Sequence, residues 1–500
     1  MASPPPGETL SICKHPRRLG VLCCALFVLG IPAAAQAAHS LATAVEQPNA
    51  GSSELDMAYS RIKGAGAKYV RIVLYWSTVQ PSRPAAGTNA RNPSNASYDW
   101  AQSDVRVNRA LAAGLAPIIT VWRAPRWAED RSVYGGEPGT VKPSAAAFGH
   151  LAVALAKHYP RVHKWEVWNE PNLDHFLTPQ IVGGKVYSPR MYRGLLNAFT
   201  AGIHHVDRHA TVAAGSLARR YRVAPLRFMR ELFCLDDNLK PRGRCVVSHL
   251  DAWSHHPYTD GGPFDKQGFK DGVSLGDLPR MRRTLHAAIT AHRLATTHRS
   301  VAFWVSEFSW DTDAPDPKAV PENLHARWVS EALYQAWRSG VTLFVWHQLR
   351  DRPFPATQYQ SGLYFCGNPS VSDDDSKSSS YCGDGHMLSH DAAKTDSIVA
   401  FRFPFVIYRV NGHLKLWGRT PYSNARKVLI ERKTSSGWSR QKTASAGANG
   451  IFTRRWPSSR RDGIYRARLA GTTTSSREFS LRRPADLRLN TWGCGGSIPC

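Results

Sequence analysis

The sequence predicts an α/β fold, a closed (β/α)8 TIM barrel followed by a small C-terminal all-β sandwich, and three observations predict it. Between about residues 40 and 400, short β-like runs alternate with longer helical stretches, the texture of parallel strands joined by crossover helices. Two glutamates, Glu170 and Glu307, each close one of the short apolar runs, at the strand ends where a barrel carries its chemistry. From roughly Tyr408 onward the pattern changes to short alternating runs separated by turn residues, as in a small sandwich.

The elements follow in order. A first strand is expected at 40–45 and a helix at 54–63, then a second strand at 68–75 and a helix at 105–113. Gly114 stops that helix before the third strand at 116–122. Next come a helix at 144–158, a fourth strand at 164–168, a helix at 192–206 and a fifth strand at 211–216. A sixth strand at 250–255 leads to a helix at 278–295, a seventh at 301–306 to a helix at 323–339, and an eighth at 341–347 to a helix at 392–401. An open doubly wound sheet would want a glycine-rich turn after its first strand, and none is present. A polar insertion at 350–390 is bracketed by Cys366 and Cys382. Sandwich strands are expected at 413–417, 427–432, 450–456 and 463–469. The domain boundaries expected are a signal peptide at 1–37, the barrel at 38–403, an Ig-like basic sandwich at 404–486 and a tail at 487–500.

The amino terminus reads as a secretory signal. Lys14, Arg17 and Arg18 precede an apolar run at 19–31, and Ala35-Gln36-Ala37 offers small residues for cleavage. That run is short for a membrane span, so a secreted protein without a transmembrane anchor is expected. Six cysteines remain after the signal, in three local pairs: Cys234 with Cys245, Cys366 with Cys382, and Cys494 with Cys500. An oxidising compartment favours disulfides, although the connectivity stays open, and the spacings suit no zinc site. The net charge is +26, and between Phe405 and Asp486 there are 18 Lys and Arg against 4 Asp and Glu. That surplus fits either a solvated surface or contact with an anionic cell-wall polymer. No nucleic-acid motif accompanies it.

The chemistry is concentrated in two segments. One is Trp168-Asn169-Glu170-Pro171-Asn172 and the other Val305-Ser306-Glu307-Phe308. Two carboxylates delivered by different strands suit cleavage of a glycosidic bond, where one protonates the leaving oxygen and the other attacks the sugar carbon. Both segments resemble the fourth- and seventh-strand motifs of glycoside hydrolase clan A, and over residues 40 to 400 the texture is nearest to families 5 and 39. The resemblance implies a retaining glycosidase acting by double displacement, with Glu170 as acid and then base and Glu307 as nucleophile. It needs no metal or cofactor.

By the same resemblance Arg71 is similar to the clan's arginine beside the nucleophile, and Asn169 to the asparagine that contacts the sugar 2-hydroxyl. His256 and Tyr258 look like the His-x-Tyr after the sixth strand, and Trp346 resembles the eighth-strand tryptophan under the reacting sugar. At Trp122-Arg123-Ala124-Pro125 the chain departs from the family 5 pattern, in which a histidine often ends the third strand. Glu166 is expected deeper on the same side of the fourth strand as Glu170. The expected partner is a carbohydrate and the expected state a monomer. A catalytically silent glycan-binding or adhesion protein, and a transglycosylase using the same glutamates, are the alternatives.

Overall fold

The computed structural model describes residues 39–48, 50–132, 135–354, 359–367, 388–422, 424 and 426–483. The expected signal peptide, the tail and the tip of the insertion after the eighth strand, with Cys382, Cys494 and Cys500, lie outside the described residues. Among the described residues no helix is long and apolar enough to cross a membrane.

Eight parallel strands close on themselves: β1 (Ala42–Glu46), β2 (Tyr69–Tyr75), β3 (Ala116–Trp122), β4 (Lys164–Val167), β5 (Thr211–Ala218), β6 (Ala252–His256), β7 (Ala302–Val305) and β8 (Leu343–Trp346). They run in sequence order around the barrel, and β8 pairs with β1, Ala44 opposite Val345. A helix follows each strand: α1 (Leu55–Gly64), α2 (Ala101–Ala112), α3 (Ala145–His158), α4 (Ser188–Val206), α5 (Pro225–Phe233), α6 (Leu278–Thr290), α7 (Glu322–Arg338) and α8 (Thr395–Arg402). The Ser144 side chain accepts from the Ala147 backbone N–H and caps α3. The sequence pattern predicts no helix where α5 lies. Its nine residues carry two interior arginines, yet Leu226, Phe228, Met229, Leu232 and Phe233 bury one stripe. Just past α5, Cys234 pairs with Cys245, as expected.

Period-two alternation divides the lumen into layers. Ala44, Ile118, Ala213, Ala252, Trp304, Leu343 and Val345 form an apolar floor. Two residues further along their strands come Glu46, Thr120, Ser254, Ser306 and His347. The same side chains that plug the barrel below are thus replaced by polar groups toward the carboxyl ends. A bulge interrupts β5 between Ala214 and Leu217. Gly215 occupies it with φ +104, and a Cβ there would meet the Ser254 carbonyl oxygen at 2.4 Å.

Beyond α8 the described residues form seven antiparallel strands: β9 (Phe405–Val410), β10 (His413–Arg419), β11 (Arg426–Thr434), β12 (Gly437–Ala446), β13 (Ile451–Pro457), β14 (Ile464–Leu469) and β15 (Phe479–Ser480). They make a three-stranded sheet, β9-β10-β13, and a four-stranded one, β12-β11-β14-β15. Three of these strands, β9, β12 and β15, were not expected from the sequence. The sheets rest on the barrel through α7 and the start of β1. Tyr408 donates to Glu331 at 3.0 Å, and buried Arg419 donates to the carbonyls of Leu41 and Phe401, each at 3.0 Å.

Candidate active site

The loop after β4 is held in an unusual shape. Trp168 has φ +69 and Glu170 φ +38, both in the left-handed region that residues with a Cβ seldom occupy. Three contacts hold this turn. The Glu170 N–H donates to the Ser216 carbonyl on the bulged β5 at 3.0 Å, and the Trp168 indole N–H donates to the Phe176 carbonyl at 2.7 Å. Buried Asn172 donates to the Ala218 carbonyl at 3.2 Å and accepts from the Ala218 N–H at 2.9 Å. A strained turn tied to its neighbours in this way fixes where Glu170 points.

Arg71 is the hub of the polar layer, and only 1% of it is exposed. Its Nε donates to Thr120 and to Glu166 Oε2, both at 3.0 Å. Its Nη1 serves Glu46 Oε2 and, at 3.2 Å, Glu307 Oε2, while Nη2 donates to Asn169 Oδ1 at 3.0 Å. Glu166 also accepts from Thr120 and Ser254, each at 2.7 Å. Burial would raise the Glu166 carboxyl, but Arg71 and His256 overcome that and hold it down at about 2.

Glu307 follows β7. Tyr258 donates to its Oε1 at 2.8 Å, and His256 Nδ1 lies 3.6 Å from its Oε2. Burial pushes its carboxyl up, whereas His256, His347 and Arg71 pull it down, and the cations win. His256 Nδ1 also lies 2.9 Å from Glu170 Oε1, and its Nε2 lies 3.1 Å from Ser306 Oγ. Burial disfavours the imidazolium, but Glu307 and Glu170 raise the ring's pKa above its ordinary value. Burial likewise pushes the Tyr258 phenol well up, and the neighbouring Glu307 adds to that, so it stays a donor. Six of the residues singled out from sequence, Arg71, Asn169, Glu170, His256, Tyr258 and Glu307, therefore share one network.

Trp346 does not join it. The side chain is fully buried, packs against Phe308, Trp310, His325 and Phe401, and donates its indole N–H to the Ser361 carbonyl at 2.9 Å. Alternation explains the correction. Val345 faces the lumen floor, so Trp346 faces outward toward α7 and α8, and His347 turns back in. Aromatic surface at the mouth comes instead from Tyr75 and Trp122, paired across β2 and β3 with ring centroids 5.4 Å apart. Tyr75 is 41% exposed.

Sequence reasoning also missed Glu46 and His347. Glu46 ends β1 just as Glu170 and Glu307 lie past the ends of β4 and β7, a position that could have marked it. Ligand atoms of Glu46, Glu307 and His347 lie within 4.8 Å of one another, a spacing open to a cation, but Arg71 already lies against both carboxylates.

Among solved structures, the chain is similar to a family 39 glycoside hydrolase from the gut symbiont Bacteroides cellulosilyticus, at 15% identity and a TM-score of 0.50 over 84% of this chain and 79% of that one. The barrel fold is shared. A family 39 enzyme from Xanthomonas axonopodis pv. citri overlaps at 14% identity and a TM-score of 0.47, covering 84% of this chain and 92% of that one. A monomeric beta-xylosidase from Caulobacter crescentus overlaps at 15% identity and 0.48, covering 87% and 94%. No family model matches the sequence, and no curated protein matches it. At such identities the likeness is one of fold, and activity has to be argued from the site.

Proposed function

We propose that this chain is a secreted retaining glycoside hydrolase that cleaves an O-glycosidic bond of an oligo- or polysaccharide. The observation that carries the reading is His256 Nδ1, in contact with Glu170 at 2.9 Å and Glu307 at 3.6 Å. The two oxygens that meet this nitrogen, Glu170 Oε1 and Glu307 Oε2, are no farther apart than those two contacts laid end to end. Such closeness favours the roughly 5–5.5 Å spacing of retaining enzymes over the roughly 6.5–9.5 Å of inverting ones.

In this reading Glu307, ionised among cations, attacks the anomeric carbon while Glu170 protonates the departing oxygen. Glu170 then takes a proton from water as that water frees the sugar from Glu307. The hydrogen bond between Glu170 and His256 keeps the required proton within one step of the leaving group. Asn169, oriented by Arg71, is placed to meet a sugar hydroxyl. Tyr75 and Trp122 offer the apolar face against which a sugar ring stacks.

Transfer to a sugar acceptor in place of water uses the same residues. The finer parts of the proposal are export by the amino-terminal segment, action as a monomer, and contact of the basic carboxyl-terminal strands with an anionic cell-wall polymer. Glu170→Gln and Glu307→Gln test the central part against a panel of aryl β-glycosides. Each substitution is expected to lower turnover by roughly 10³-fold or more. Wild-type turnover in either variant overturns the assignment.

A further inference from the structure

Four carboxylates, Glu46, Glu166, Glu170 and Glu307, converge on one guanidinium and two imidazoles, those of Arg71, His256 and His347. Arg71 is divided among three of them, and its Nη1 alone serves both Glu46 and Glu307. Nη1 can offer one N–H to each carboxylate, but its share of one guanidinium charge does not balance two, and the second group at that spot able to carry positive charge is His347. Its Nδ1 lies 3.3 Å from Glu46 Oε2 and 4.0 Å from Glu307 Oε1, and its side chain is 5% exposed.

The surroundings of this pair are specific. His347 faces Glu46, Glu307 and the Tyr359 ring, which is nearly perpendicular to it with centroids 5.0 Å apart, while Arg352 opposes its charge and Asp311 acts from further off. Glu46 faces Arg71 and His347, and also bears on the Tyr258 phenol. Glu307 faces Arg71, Tyr258, His256 and His347. Burial lowers the His347 pKa, but Glu46 and then Glu307 raise it, and the outcome lies above the ordinary value.

We propose that Glu46 is a positioning residue for the nucleophile, drawing part of Arg71 away from Glu307 and holding His347 as a cation beside it. The proposal rests on the reading of Glu307 as nucleophile. When a Glu307 oxygen forms its bond to the anomeric carbon, its electron pair becomes that bond and the carboxylate charge is lost. The leaving oxygen keeps the electrons of the broken bond and takes the proton from Glu170. Arg71 and His347 then lose one of their counter-ions, and Glu166 and Glu46 remain, Glu166 on Arg71 and Glu46 between Arg71 and His347. The cations need not shed a proton or move before water attacks.

The test compares full-length wild type, Glu46→Gln and Glu46→Asp. The first readout is the His347 imidazole titration by NMR, which needs no substrate. Loss of the Glu46 charge is expected to bring the His347 midpoint down by about one pH unit or more, with Glu46→Asp falling between the two. The second is kcat/KM against pH for an aryl glycoside that the wild type cleaves. Glu46→Gln is expected to displace the alkaline limb to lower pH, and Glu46→Asp to restore part of it. An unmoved His347 midpoint overturns the proposal, and so do pH profiles that superimpose after scaling. A wild type inactive on every glycoside instead overturns the glycosidase reading, and the titration alone then decides whether Glu46 holds His347 charged.

Discussion

The barrel mouth and the outer face of the four-stranded sheet are both dense in charge and hold it differently. In the mouth, alternation along the strands turns Arg71, Glu166 and Glu46 inward, and Arg71 pairs with both carboxylates inside the protein. On the sheet, Lys427 and Arg440 are exposed and have no ion-pair partner among the described residues. Between these extremes Glu431 accepts from Arg466 at 2.8 Å and from Arg468 at 2.7 Å, and the Arg466 guanidinium lies 4.1 Å over the Trp438 ring. A buried charge is committed to one arrangement, because leaving it unpaired is costly. An exposed one stays free for water, salt or a polymer.

The comparison is broken most severely at Arg71. Arg71→Met leaves Glu46, Glu166 and Glu307 without their shared cation, and a loss of roughly 3–5 kcal/mol in stability to denaturant is expected along with activity. Unchanged stability would mean that the mouth tolerates unpaired carboxylates as the sheet tolerates unpaired cations. Trp346→Ala is expected to cost about 3–5 kcal/mol as a core cavity, while any preference among the glycosides that the protein accepts is kept. Trp122→Ala should do the reverse. It leaves stability nearly intact and weakens oligosaccharide binding by about 1 kcal/mol, read as a rise of several-fold in KM.

Two smaller effects sharpen the contrast. Glu166 has a folded pKa near 2, below the ordinary 4.5, so its stabilising contribution is complete above that ordinary value and drains away as the pH falls toward 2. Acid titration of stability should therefore show a loss between those values that Glu166→Gln removes. The Lys427→Ser, Arg440→Ser double variant should leave the thermal midpoint within a degree or two and reduce salt-sensitive retention on an anionic polysaccharide. Equal retention of the variant and wild type would make the sheet's charge a matter of solvation alone.

Much of this architecture is legible in the sequence. β2 and β3 fall within a residue of where alternation puts them, since long β-branched runs bounded by turns leave little freedom. Asn169-Glu170-Pro171 and Ser306-Glu307 locate both carboxylates, and the lone Arg71 among Val70, Ile72 and Val73 signals an inward charge. What escaped was mostly direction and context. The resemblance puts Trp346 under the sugar, whereas parity with its neighbours Val345 and His347 puts it outside the barrel. Glu46 ends a five-residue strand too short to advertise its face. The helix α5 hid its apolar stripe among arginines, and β12 has polar residues at most positions, so tertiary packing and pairing with β11 define it rather than pattern.

The central claim is that Glu170 and Glu307 act across one short gap on the same sugar. The most direct measurement is the anomer released first, followed by proton NMR during cleavage of an aryl β-glycoside that the protein accepts. The account predicts the β-anomer initially, with the α-anomer growing in only by mutarotation. An α-anomer formed first would mean that water, and not Glu307, attacks the anomeric carbon.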